Sequence, residues 1–301
     1  MQNIESTNFA SATFFRAYTD LQKMTHSEKA EIFQGLHHSG KLLILPNIWD
    51  PLGALLLEGL GYPAVATASA AVALSQGYND GEKIPLAKVL ENCKRITSLV
   101  DIPITTDFET GYSDDERQLY ENIQALVQTG IVGINVEDTS KQTGSLLSIE
   151  TQCNKIRIIK RAAADAGMSL FVNARTDVVL HPNLFTTEES RIEEIIKRGR
   201  AFKDAGADCF FPIALKDKFQ IEALLAAIEM PVNLIAIPGI PSLDELQHIG
   251  VARLSLGPSF LKITIKAMKD LATQLKDFDG LKAILENDVT TDYLKRLVNK
   301  S

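Results

Sequence analysis

Eight short apolar or β-branched runs, each followed by an amphipathic stretch, set the tightest limit on what this chain can fold into. They are residues 42–46, 64–68, 104–108, 133–137, 170–174, 209–213, 233–237 and 253–256. Alternation of this kind predicts βα units, and runs nearly continuous in apolar residues predict parallel strands covered on both faces. The connecting segments carry helix punctuation. Asp50-Pro51 precedes LGALLLEGLGY, with Asp suited to cap and Pro to the first helical position. Gly61, Gly130, Gly167 and Gly206 stand where helices would stop. The fold class predicted is α/β, a (β/α)8 TIM-type barrel. A doubly wound sheet would call for G-x-G-x-x-G after the first strand, which the sequence lacks.

The 301 residues are expected to form a single barrel domain, with N-terminal helices over 1–40, the barrel over 41–260 and C-terminal helices over 261–301. Two helical patterns precede the first strand as a cap. Two more, 258–277 and 281–299, follow the last strand and are separated by Gly280. One helix completes a barrel, so the second is free to reach elsewhere. With 38 acidic against 31 basic residues the net charge is −7. No basic stripe appears, which argues against nucleic acid as a partner. Cys93, Cys153 and Cys209 lack C-x-x-C spacing, so they read as reduced thiols of a cytosolic protein. No stretch approaches the roughly 18 apolar residues of a membrane span, and the N-terminus does not read as a signal peptide. A soluble, cytoplasmic protein is expected.

In a parallel barrel, side chains at the C-terminal ends of different strands converge on one mouth. Asp107 and Glu109 lie two apart, on one side if the strand continues regularly, and Glu137 ends the next run. Three such carboxylates suit a hard cation, Mg²⁺ with Mn²⁺ as a substitute, although singly each could be a cap or a solvated acid. Arg175, in NARTD, suits bidentate binding of a substrate carboxylate or a salt bridge to Asp177 or Glu137. Asp50 reads equally as N-cap or ligand. The small, polar segment TASAAVALSQGYNDGE could hold a carboxylate on its backbone N–H groups, with Asp80 over the mouth, or be a plain loop. The five histidines join no Ser/Asp constellation, so a hydrolase triad is not expected. Lys216 could form a Schiff base, but KDK reads as a solvated helix start. Residues 138–147 are polar and contain Gly144, which predicts a mobile lid. Lys141 is its one strong donor, able to reach a substrate or simply to sit in solvent.

The ordered landmarks PNIWDPLGALLLEGLGYPAVATASA, GYNDGE, ITTDFETGYSDD, GINVEDT and NARTDV resemble the isocitrate lyase/phosphoenolpyruvate mutase superfamily over roughly residues 40–260. The resemblance implies a Mg²⁺-dependent barrel that exchanges its eighth helix with a neighbouring subunit, in a homotetramer built as a dimer of dimers. It implies that Asp107 anchors the metal while Glu109 and Glu137 hold metal-bound waters. Arg175 would bind substrate, Asp80 would complete the site, and backbone around Ala68, Ser69 and Ala70 would receive the substrate carboxylate. Catalytic roles are expected for Asp80, Arg175 and Lys141. The implied chemistry passes through an enolate-like pyruvate fragment stabilised by the cation. Two departures narrow it. The K-[KR]-C-G-H segment of isocitrate and methylisocitrate lyases is replaced by EDTSKQTGSLLS, and the longer Pro-Lys loop of the mutases is lacking. The closer resemblance is to the phosphoenolpyruvate phosphonomutase-like branch. A lyase acting on a small α-keto or 2-hydroxy carboxylate is expected, with C–P bond chemistry and a catalytically inactive binding barrel as the alternatives.

Overall fold

A computed structural model describes residues 24–299. Its strands are β1 (Leu43–Leu45), β2 (Asn47–Ile48), β3 (Val65–Thr67), β4 (Ile104–Asp107), β5 (Gly133–Val136), β6 (Phe171–Thr176), β7 (Cys209–Pro212), β8 (Asn233–Ile235) and β9 (Arg253–Ser255). All eight expected runs are strands, and the first is divided. Pro46 has no N–H to give a ladder, and at this residue the chain changes neighbours: β1 pairs with β9, β2 with β3. Every pairing between these strands is parallel. One sheet runs β1-β9-β8, the other β2-β3-β4-β5-β6-β7. Their other margins meet at a parallel bridge between Phe210 and Val232, where the Phe210 N–H donates to the Pro231 carbonyl at 2.9 Å. The strand order is consistent with a TIM-type barrel.

Helices cover the sheets, and the core lies between the two layers. Val65, Ile134, Val136, Val172, Ala174 and Phe210 on the strands are fully enclosed. The helix Ile149–Asp165 buries Gln152, Cys153, Ile156, Ile159, Ala162 and Ala163, a stripe at helical spacing. Its end and that of the helix Glu188–Asp204 use the glycines the sequence marked. Gly167 and Gly206 take φ of +70° and +103° and return their N–H groups to the last turn, a backbone conformation that costs other residues more.

Of the two N-terminal helical patterns, one is the helix His26–His37, entered through a Thr25 capping box. The other lies outside the described residues. Beyond β9 the expected 281–299 helix is two pieces, Leu281–Leu285 and Thr291–Asn299, preceded by the helix Ser259–Lys276. Thr291–Asn299 packs on this chain's own helix Pro51–Gly59, with Leu297 against the core. Inside the sheets Arg253 is wholly buried, its Nε 3.1 Å from Ser255 Oγ and its Nη2 3.4 Å from Asn135 Oδ1. Desolvation lowers its pKa to about 10.

Candidate active site

The C-terminal ends of β4, β5 and β6 gather the charged groups. Asp107 ends β4, and its Oδ2 accepts from Ser69 Oγ at 2.7 Å, with Ser69 N at 3.4 Å. Ser69 opens a short helix, Ser69–Ser75, whose cap is the buried Ala68; Ala70 follows half-buried. The first N–H groups of a helix have no partner within it. The segment can thus offer donors to a carboxylate, although Ser69 already faces Asp107.

Glu109 reaches the mouth differently from the expectation. The strand stops at Asp107, and Glu109 takes φ +50°, so the alternation of a strand does not govern it. Gly111 and Tyr112 are also left-handed, at +96° and +61°. Non-glycine residues in this region are held there by their surroundings. Here the holder is Glu82, whose Oε1 accepts from Thr110 N at 2.8 Å, Thr110 Oγ1 at 2.6 Å and Tyr112 N at 3.0 Å. The Glu82 N–H in turn donates to Glu109 Oε1 at 2.9 Å. Sequence reading chose Asp80 from this segment. Asp80 is exposed, and the carboxylate that turns inward is that of Glu82, two residues on.

Glu137, just past β5, is 3% exposed and sits between two cations. Arg175 Nη1 lies 2.7 Å from its Oε2 and Lys141 Nζ 2.5 Å from its Oε1. The same ammonium lies 3.0 Å from Glu109 Oε2. Arg175 Nε also meets Asp177 Oδ1 at 2.6 Å, so both salt bridges weighed from sequence exist together. Burial pushes Glu109 up to about 7, against the pull of Lys141 and with a further push from Asp107. Burial likewise pushes Glu137 up to about 7, opposed by Arg175 and assisted by Asp177. Desolvation by itself would lower Lys141, yet Glu137 and Glu109 hold it above the ordinary lysine range.

The donor set fits a hard cation in its chemistry: three carboxylates at or just past the ends of β4 and β5, one of them with a buried oxygen, Glu109 Oε2, that among the described residues accepts no hydrogen bond and has only the Lys141 ion pair. Among the described residues, though, no three acidic, His or Cys side chains converge on one point as a ligand triad. Asp107 is turned to Ser69, and the Lys141 ammonium lies between the two glutamates. Lys141 would have to move aside for Glu109 and Glu137 to share a metal shell.

Residues 138–147, the expected lid, form a hairpin. Thr139 bridges Leu146, Leu147 N donates to Asp138 O at 2.7 Å, and Ser140 N to Ser145 O at 3.0 Å. His181 Nε2 meets Thr139 Oγ1 at 3.2 Å. Two groups that sequence reading passed over, Glu82 and Arg198, support this region together with Asp138, which follows Glu137 in VGINVEDTS. Asp138 is fully buried and accepts from Thr176 Oγ1, Asp177 N and Arg198 Nη1. Nothing in the sequence marks Arg198, since it lies on a charged helix far along the chain. Asp50 is an N-cap, accepting from Gly53 N at 2.8 Å, and Lys216 is exposed.

Known proteins resemble this chain in sequence and in fold. Residues 33–276 match the model of the phosphoenolpyruvate phosphomutase family. An uncharacterised protein of Mycobacterium tuberculosis is 31% identical over 225 residues, 75% of this chain and 81% of its own. The oxaloacetate decarboxylase of Pseudomonas entomophila is 26% identical over 259 residues, 83% of this chain and 86% of its own. A candidate phosphonomutase from Burkholderia cenocepacia superposes with a TM-score of 0.77 at 36% identity, covering 84% of this chain and 99% of that chain. Phosphonopyruvate hydrolase, solved with oxalate and Mg²⁺, shares the fold with a TM-score of 0.77 at 22% identity, covering 90% of this chain and 95% of that chain. The chain belongs to the phosphoenolpyruvate phosphomutase family, within the superfamily of phosphoenolpyruvate mutase and isocitrate lyase enzymes.

Proposed function

We propose that the protein is a Mg²⁺-dependent lyase that cleaves a carbon–carbon bond in a small α-keto or 2-hydroxy carboxylate. The observation that carries this reading is the buried set of Glu109 and Glu137 with Lys141 and Arg175 at adjacent strand ends. A relative named oxaloacetate decarboxylase supports the substrate class. Asp107, Glu109 and Glu137 would hold the cation, Mg²⁺ or Mn²⁺. When bound, it supplies Lewis-acid polarisation of the keto or hydroxy oxygen.

The rest of the chemistry falls to the chain. Arg175 presents a planar, permanently charged fork already oriented by Glu137 and Asp177, suited to a carboxylate of the substrate. The N–H groups following Ala68, those of Ser69 and Ala70, add neutral donors for the same anion. The hairpin carries Lys141 over the mouth. There its ammonium can hand from the glutamates to the substrate as water is excluded from a carbanionic centre. Asp80 would join only if its exposed loop folds inward.

Two wider readings go with this one. The strands would close into one eight-stranded barrel through the Phe210–Val232 bridge. The exposed apolar residues of Ser259–Lys276, among them Ile263, Ile265 and Met268, would be covered by a neighbouring subunit exchanging its C-terminal helices in a homotetramer. No helix among the described residues is long and apolar enough to cross a membrane.

C–P bond chemistry on a phosphonate is the second reading, favoured by the family match itself. The test is pyruvate release from oxaloacetate, 2-alkylmalates and phosphonopyruvate, with and without Mg²⁺ or Mn²⁺. Release from a carbon acid that depends on the cation is expected. Release from phosphonopyruvate alone would transfer the assignment to C–P cleavage, and no turnover or binding of any of them would favour a binding barrel.

A further inference from the structure

One guanidinium group, remote from the mouth, holds both feet of the Lys141 hairpin. Arg198 lies on the helix Glu188–Asp204 with its side chain 5% exposed. Its Nη1 donates to Asp138 Oδ2 at 2.8 Å and to the Leu147 carbonyl at 2.9 Å. These are the first and last residues of the hairpin, and they are also joined directly by Leu147 N to Asp138 O. The Arg198 Nε is fixed from the other side by Glu194 at 2.8 Å.

The Asp138 carboxylate extends the tie to β6. Its Oδ1 accepts the Asp177 N–H at 2.8 Å, and its Oδ2 the Thr176 hydroxyl at 2.7 Å. Asp177 in turn orients Arg175, which pairs with Glu137. A planar fork with several fixed donors can hold such a junction, whereas a flexible ammonium is one point charge. Asp138 is without solvent contact, so its charge needs this partner.

We infer that Arg198 is a positioning residue that sets Lys141 and Arg175 together over the glutamates, by clamping the hairpin at its root and Asp177 through Asp138. It touches neither substrate nor reacting atoms. The role rests on the proposed reading of the mouth as a carboxylate site, but its mechanical part can be read separately.

The experiment compares wild type with Arg198→Lys by amide exchange and by calorimetric titration of oxalate in the presence of Mg²⁺. In Arg198→Lys, exchange at residues 139–146 is expected to quicken while β5 and β6 keep their protection, because local opening and global unfolding are separate events. Oxalate affinity is expected to fall about tenfold or more, as for supporting residues behind a binding site. The fall should be non-additive with Lys141→Ala, since both act through the same hairpin. Should Arg198→Lys not fold, Glu194→Gln takes its place. That variant leaves the arginine but removes the partner of its Nε, and the same direction of change is expected. Unaltered exchange in the hairpin, or equal quickening in the hairpin and the core strands, would overturn the clamp. If wild type binds no oxalate with Mg²⁺ while Arg198→Lys still quickens exchange in the hairpin, the carboxylate reading is removed and the clamp stands.

Discussion

Single side chains decide whether this mouth can hold a cation. Asp107→Asn keeps the shape and the Ser69 contact but removes the charge; Mg²⁺ affinity by calorimetry is expected to fall at least about a hundredfold, more than for a residue behind the ligands. Unchanged affinity would sink the metal assignment. Glu82 acts one step back. Glu82→Ala strips partners from two backbone N–H groups and the Thr110 hydroxyl in a turn with Glu109 and Tyr112 left-handed. A loss of about 1–3 kcal/mol in denaturant unfolding is expected from the unsatisfied groups, with weaker Mg²⁺ binding as Glu109 drifts. Asp107, Glu137 and Arg175 could be chosen as candidates because strand-end position can be counted along a chain, whereas Glu109 lies past the strand in a left-handed turn and Lys141 in the hairpin. Glu82 could not be chosen, because Asp80 and Glu82 are equivalent in a loop until the turn after β4 selects one.

At the scale of elements, the helix His26–His37 closes the end of the sheets opposite the mouth, and it carries a pH dependence. His37 is 4% exposed, its ring 4.7 Å from Phe33 and 4.3 Å from Phe171 by centroids, with Nδ1 at 2.8 Å from the Phe33 carbonyl. Nε2 is buried without a partner. Burial lowers its pKa from 6.5 to about 3, with Arg253 and His38 adding repulsion. The folded state therefore binds this proton less readily than the unfolded chain. Stability is full above the unfolded value of 6.5 and is lost as pH falls towards about 3, by up to about 1.4 kcal/mol per pH unit. Because Glu109 and Glu137, pushed up to about 7, drive the whole-protein profile the other way, the His37 contribution is read as a difference: the stability of wild type relative to His37→Phe in denaturant unfolding should fall from pH 7 to pH 5. An unchanged profile in the variant would show that another group carries the dependence. The helix cap at Asp50 was readable locally. Division of the first strand was not, because Pro46 alone does not say which neighbour each half will take.

At the scale of the whole molecule, the exposed apolar residues that follow β9 have no covering element among the described residues. Ile263, Met268 and Phe278 are 65%, 61% and 102% exposed, more than scattered surface apolar residues require. Light scattering is expected to give a mass above the 33.0 kDa of one chain, and Ile263→Glu with Met268→Glu to return it to that mass. A monomeric wild type would contradict subunit exchange. The sequence by itself determined the βα alternation, the parallel strands and the ends at which charge collects, because these follow from periods of hydrophobicity and from caps within a few residues. Only tertiary structure decided that the Lys141 ammonium lies between Glu109 and Glu137, that Glu82 replaces Asp80 at the turn, and that Arg198 stands under the hairpin. Apart from Lys141–Glu137, four residues apart, those contacts join residues from separate βα units, and a local pattern holds no record of which distant charge will neutralise another once both leave water.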